Sequence, residues 1–173
     1  MQITTNNPQP GDIVWCRTAG VMGKLIRLGE WIKFRKCAYN HECIVSDIDE
    51  TGAVWVIQAT MRGIVRSPLA TLTPGGSYIT MAPPPECDRA KIVEFMKAQL
   101  ELHIKYGILT ILAISIDILS YQWVPAFQRA SKATWICSAV SEEAQRYAGW
   151  LYPWLSIYTV IPEQSYLVHA ALA

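Results

Sequence analysis

Cys137 is the residue best placed to do covalent chemistry. It stands in the run Thr134-Trp-Ile-Cys-Ser-Ala-Val-Ser-Glu-Glu, where a short apolar stretch meets the start of an acidic first helical turn. Unpaired backbone amides at a helix N-terminus carry partial positive charge, which favours a thiolate and lowers the thiol pKa. The same amides can stabilise the oxyanion of an acyl transfer. The competing account is structural, since most free cysteines are small buried hydrophobes.

A nucleophilic thiol needs a base, and the chain offers three histidines. His103 falls on the solvent side of an amphipathic helix, and His169 lies near a terminus expected to fray. His41 opens a strand-like run whose partner strand carries Gln58. Facing positions on such strands let the Gln58 amide oxygen orient the imidazole. Nucleophile, base and orienting group form the arrangement that activates a thiol. Glu42 points to the other strand face and is a poorer candidate. The competing account is a surface histidine beside an uninvolved glutamine.

Metal chemistry is less well supported. Cys37, His41 and Cys43 supply three possible zinc ligands within seven residues. Structural zinc needs a fourth ligand, usually from a second close-spaced pair, and the chain has none. Gly75-Gly76 lacks the Lys-Ser/Thr ending of a phosphate-binding loop. No metal and no cofactor is expected.

The elements that must position these residues divide at Thr73 to Glu86, where Gly75, Gly76 and Pro83 to Pro85 are expected to stop regular structure. The first half opens with a turn at Pro10-Gly11-Asp12 and a strand from Ile13 to Cys16. A loose helix follows over Gly20 to Lys36, with Lys24, Arg27, Lys33, Arg35 and Lys36 around it. The runs His41 to Val45 and Val54 to Ala59 flank the turn signal Asp47 to Gly52 and predict a hairpin, with a third strand over Gly63 to Arg66. In the second half, Asp88 caps a helix with Ile92, Phe95, Met96, Gln99 and Leu102 at helical spacing, running towards Tyr106. A further helix starts near Cys137 and reaches about Trp150, and a last strand covers Ile157 to Ile161. Strands first and helices later predict an α+β class, in a single domain over residues 1–173.

Composition narrows the partners. Of 173 residues, 51% are hydrophobic and 17% charged, which is too apolar for a disordered chain. Fifteen Lys and Arg against 14 Asp and Glu leave a net charge of +1, so nucleic acid is not an expected partner. Seven Trp and eight Tyr exceed the needs of a small core, and some are expected to line a groove or interface. The apolar run Ile108 to Leu119 is interrupted by Asp117 and falls short of the about 20 residues that span a bilayer. It reads, with Trp123, Trp150 and Trp154, as core filling or as the lining of an acyl groove. No signal peptide is visible, and the five cysteines form no even framework, which predicts reduced thiols.

Three stretches in order carry a family resemblance. They are Pro10-Gly-Asp-Ile-Val; then Asn40-His-Glu-Cys-Ile-Val with Val56-Ile-Gln-Ala-Thr and Gly63-Ile-Val-Arg-Ser-Pro-Leu; then Ile136-Cys-Ser-Ala-Val. Together, over about residues 10 to 148, they resemble the circularly permuted papain-like branch of the NlpC-type cell-wall peptidase superfamily. That branch also holds lipid acyl hydrolases and lecithin–retinol acyltransferase-like enzymes. The resemblance implies a small antiparallel sheet packed on helices, with Cys137 as nucleophile, His41 as base and Gln58 as third member. Many relatives carry glutamate at the Gln58 position, and a neutral amide stabilises imidazolium less than a carboxylate does. The implied activity is a cysteine amidase or peptidase acting on cell-wall peptide stems. The alternatives are a lipid acyl hydrolase or acyltransferase and a catalytically idle binding module. The expected setting is cytoplasmic or virus-borne.

Overall fold

The computed structural model describes residues 7–19, 21–35, 38–73, 78–103, 105–106, 134–135, 137–150 and 162–172. Its centre is a five-stranded antiparallel sheet in the order β4-β3-β2-β1-β5, with helices packed against it, so the chain is α+β. The strands are β1 (Ile13–Cys16), β2 (His41–Ile48), β3 (Val54–Thr60), β4 (Gly63–Pro68) and β5 (Tyr78–Met81). Helix α1 (Val21–Phe34) links β1 to β2, and the short α2 (Leu69–Leu72) follows β4. Helices α3 (Arg89–Glu101), α4 (Cys137–Tyr147) and α5 (Pro162–Leu172) come later, with a two-residue parallel pair, β6 (Lys105–Tyr106) and β7 (Thr134–Trp135), between α3 and α4.

Local chemistry sets the first four strands. Gly11 holds φ +88° at the opening turn, and a Cβ there would lie 2.8 Å from the Arg89 side chain. That close approach lets Arg89 reach the buried Asp12 carboxylate at 2.7 Å and ties β1 to the start of α3. The hairpin turn is built on Asp49, whose carboxylate accepts from the Thr51 and Ala53 amides at 2.9 and 3.0 Å and from the Trp55 indole at 2.9 Å. Gly52 closes the turn at φ +80°. Asp88 caps α3 through the Ala90 amide at 2.9 Å, which satisfies a donor the helix leaves unpaired.

Each face of the sheet is buried. On one face Ile13, Trp15, Ile44, Ile57 and Ala59 pack with Ile92 and Met96 of α3 and with Cys137, Val140 and Ala144 of α4. On the other, Val14, Cys43, Val45 and Val56 pack with Leu69. The alternation along each strand follows the twofold pleat. Because α3 and α4 both lie against β2, the strand that begins with His41 is central to the layer.

Several expectations need correcting. The stretch Thr73 to Glu86 does not stop regular structure throughout, because Tyr78–Met81 forms β5 and pairs antiparallel with β1. Helix α3 ends at Glu101 rather than running to Tyr106; His103 turns left-handed at φ +51° and Leu102 is exposed. His169 does not sit in a fraying tail but is fully buried in α5. The first turn of α4 holds no acid, since Glu142 and Glu143 fall one turn later. The expected strand Ile157 to Ile161, the run Ile108 to Leu119, and Trp123 and Trp154 lie outside the described residues.

Candidate active site

Strand pairing brings two of the three candidate residues together. In register, Ile44 faces Ile57, so His41 and Gln58 project from the same side of neighbouring strands. The His41 Nε2 lies 2.6 Å from the Gln58 Oε1, and both residues are buried. Gln58 in turn donates from Nε2 to the Ser67 hydroxyl on β4 at 2.7 Å. With its amide nitrogen committed to Ser67, Gln58 can only accept from His41. Nε2 therefore carries the ring proton, and Nδ1 is the basic nitrogen. Ser67 belongs to a strand read from sequence only as far as Arg66. Its role as the hydroxyl that fixes Gln58 comes from strand register, which composition does not encode.

Cys137 is the first residue of α4 and is 3% exposed, in the cluster with Trp15 and Ile44. Its sulfur is near enough to the Glu42 carboxyl and the Cys43 thiol to raise the proton affinity of both. Helix α4, which Cys137 opens, packs against β2. By strand alternation the His41 imidazole belongs to the Cys43 face and Cys137 to the Ile44 face. The structure thus brings His41 and Gln58 together and sets Cys137 on the other face of the sheet.

A second thiol lies on the imidazole's own side. Cys16 ends β1 directly opposite His41 in register. A hydrogen bond with Cys43, helped by the charge of His41, lowers the Cys16 thiol to about 7 against the effect of burial. The partner thiol of Cys43 is pushed up by the same contact. Sequence reasoning missed Cys16, and only the β1–β2 register reveals it.

Asn40, immediately before His41, is also buried. Its side chain accepts from the Thr18 amide at 2.8 Å and donates to the Thr18 hydroxyl at 3.2 Å. Gly23 of α1 sits against this clasp, where a Cβ would come within 2.5 Å of the Asn40 Nδ2. The start of α1, Thr18 and the His41 end of β2 are thus held as one unit.

Glu42 projects to the opposite face, as expected, and is fully buried. Burial, reinforced by the neighbouring Glu142 carboxylate and Cys137, pushes its carboxyl well above the usual range, so it is held as the neutral acid. Beyond it lies a polar network that sequence reasoning did not find. The Ser165 hydroxyl donates to Glu142 at 2.6 Å, and Gln145 Oε1 lies 2.8 Å from the His169 Nε2. The His169 Nδ1 lies 2.9 Å from the Ser165 carbonyl, and the ring packs against Trp15 and Trp150, each with its ring centroid 5.0 Å away. Burial lowers His169 to about 4.

Among the described residues no group of three or more His, Cys, Asp or Glu side chains is arranged to hold a metal ion. Cys37, one of the three possible zinc ligands, lies outside the described residues. No helix among the described residues is long and apolar enough to cross a membrane. Comparison with known proteins gave no matching family model and no matching curated protein.

Proposed function

We propose that the chain is a cysteine hydrolase of the circularly permuted papain-like type, cleaving amide bonds through Cys137, His41 and Gln58. The observation that carries this reading is the His41–Gln58–Ser67 chain, which fixes the His41 tautomer and leaves Nδ1 without a hydrogen-bond partner among the described residues. The antiparallel sheet with α3 and α4 packed on one face supports the fold assignment without being particular to it.

The chemistry is acyl transfer. Nδ1 takes the thiol proton, and the Cys137 sulfur attacks the carbonyl carbon to form a tetrahedral oxyanion held by backbone amides at the start of α4. Collapse breaks the carbon–nitrogen bond, and the imidazolium gives its proton to the departing amine, leaving a thioester. Water then attacks the thioester carbonyl and passes a proton to Nδ1. The carboxylic acid leaves and the thiol is restored. Gln58 keeps the ring in the required tautomer throughout.

Cell-wall peptide stems are the proposed substrates, with lipid acyl esters or amides as the alternative. A cytoplasmic or virus-borne setting is proposed with the former. Incubation with peptide stems and with acyl lipids, followed by rapid acid quench and intact-mass measurement, tests the reading. A mass increase on Cys137 equal to the acyl fragment is expected and identifies the substrate class. Stable unmodified mass with both classes would support the idle binding module.

A further inference from the structure

We propose that the row Lys24, Arg27, Leu28, Trp31 and Arg35 docks the protein on an anionic membrane surface. The spacing of three, four and seven residues from Lys24 puts the first four on one stripe of α1, and Arg35 continues it just past the helix end. Lys24 and Arg35 are exposed, and Arg27 is half-buried between them. Leu28 and Trp31 are the large apolar members and are 54% and 51% exposed. The Arg35 guanidinium lies 5.6 Å from the Trp31 ring centroid, so the aromatic is paired with a cation rather than with the core. Such a pairing of Trp, Leu and basic side chains suits the boundary between lipid headgroups and acyl chains.

The charge is concentrated rather than general. The whole chain carries only +1, yet Val21–Phe34 contains Lys24, Arg27 and Lys33 against Glu30 alone, with Arg35 next. A polyanion in water would engage the cations but gain nothing from Leu28 and Trp31, whereas an anionic bilayer engages both. Gly23 near the start of α1 packs on Asn40, the residue before His41, which is itself bonded to Thr18, so docking on this stripe would set the orientation of that end of β2 relative to the lipid surface.

The inference does not depend on the hydrolase reading, because its test reads binding by full-length protein carrying Cys137→Ala. Co-sedimentation is measured with vesicles of phosphatidylcholine alone and of phosphatidylcholine mixed with phosphatidylglycerol, across a salt series. Binding to the mixed vesicles only, weakened by salt, is expected. Lys24→Glu and Trp31→Ser, both at exposed positions, should each weaken it by about fivefold or more. Unchanged secondary structure and melting would confirm that the variants fold. Three results would overturn the proposal: no binding to the mixed vesicles, binding unaffected by either variant, or binding insensitive to Trp31→Ser and abolished by free polyphosphate. The last would assign the stripe to a soluble polyanion.

Discussion

His41 and His169 each set Nε2 against the amide oxygen of a glutamine, at 2.6 and 2.8 Å. The two pairs differ in what surrounds the second nitrogen. In His169, Nδ1 lies against the Ser165 carbonyl and the ring is fully buried beside two indoles, so both nitrogens already face neighbouring protein groups. In His41 the glutamine is fixed by Ser67, the tautomer follows, and Nδ1 has no hydrogen-bond partner among the described residues. A histidine–glutamine bond thus occurs twice in this fold, and the proposed base is the one whose second nitrogen has no hydrogen-bond partner among the described residues.

The contrast predicts opposite consequences for the same kind of change. His41→Ala should lower the hydrolytic rate by about 10³-fold or more, because the general base is removed. His169→Ala should leave the rate of the folded protein within about threefold but cost about 2–4 kcal/mol of stability, since a ring packed against Trp15 and Trp150 is lost. Rates with a turned-over substrate and urea unfolding of both variants check the pair. A matching loss of rate in both would remove the distinction.

A smaller effect is expected one bond further out. Gln58→Ala removes the group that sets the His41 tautomer and should slow turnover about 5- to 150-fold, from the about 1–3 kcal/mol of a buried polar group left unpaired. Ser67→Ala, which only loosens the Gln58 amide, should cost less. Steady-state rates of the two variants give the order, and a larger loss at Ser67 would contradict the assigned chain.

Buried His169 also predicts a pH dependence of stability. His169 titrates at about 4 in the folded chain, against the ordinary histidine value of 6.5 once unfolded. Between those values the unfolded chain binds a proton that the native one refuses, so stability contributed by neutral His169 is lost as pH falls from 6.5 to 4. At about 1.36 kcal/mol per pH unit the contribution is on the order of 3 kcal/mol. Glu42, raised by burial, acts in the opposite sense and loses stability as pH rises above the ordinary carboxylate range. Unfolding free energies at several pH values should therefore show a shallower acid slope in His169→Gln than in the wild type.

Much of the frame is legible in the sequence because its signals are local. Gly11, Asp49 with Gly52, and Asp88 each encode a turn or cap within a few residues, and they fix the starts of β1, β3 and α3. His41 and Gln58 are legible too, because period-two alternation on a hairpin needs no tertiary knowledge. What escapes depends on distant pairing. Strand β5 hides among glycines and prolines and exists through its pairing with β1. The burial of His169 comes from Trp15 and Trp150, far apart in the chain. Cys16 and Ser67 enter the site only through strand register.

Cys137 and Cys16 are the two thiols that could partner His41, and one measurement separates them. Brief iodoacetamide treatment near pH 6, followed by peptide mass mapping, is run on the wild type and on His41→Ala. The proposed site predicts selective labelling of Cys137 that fades when His41 is removed. Labelling of Cys16 in its place, or labelling of Cys137 that ignores the loss of His41, would contradict it.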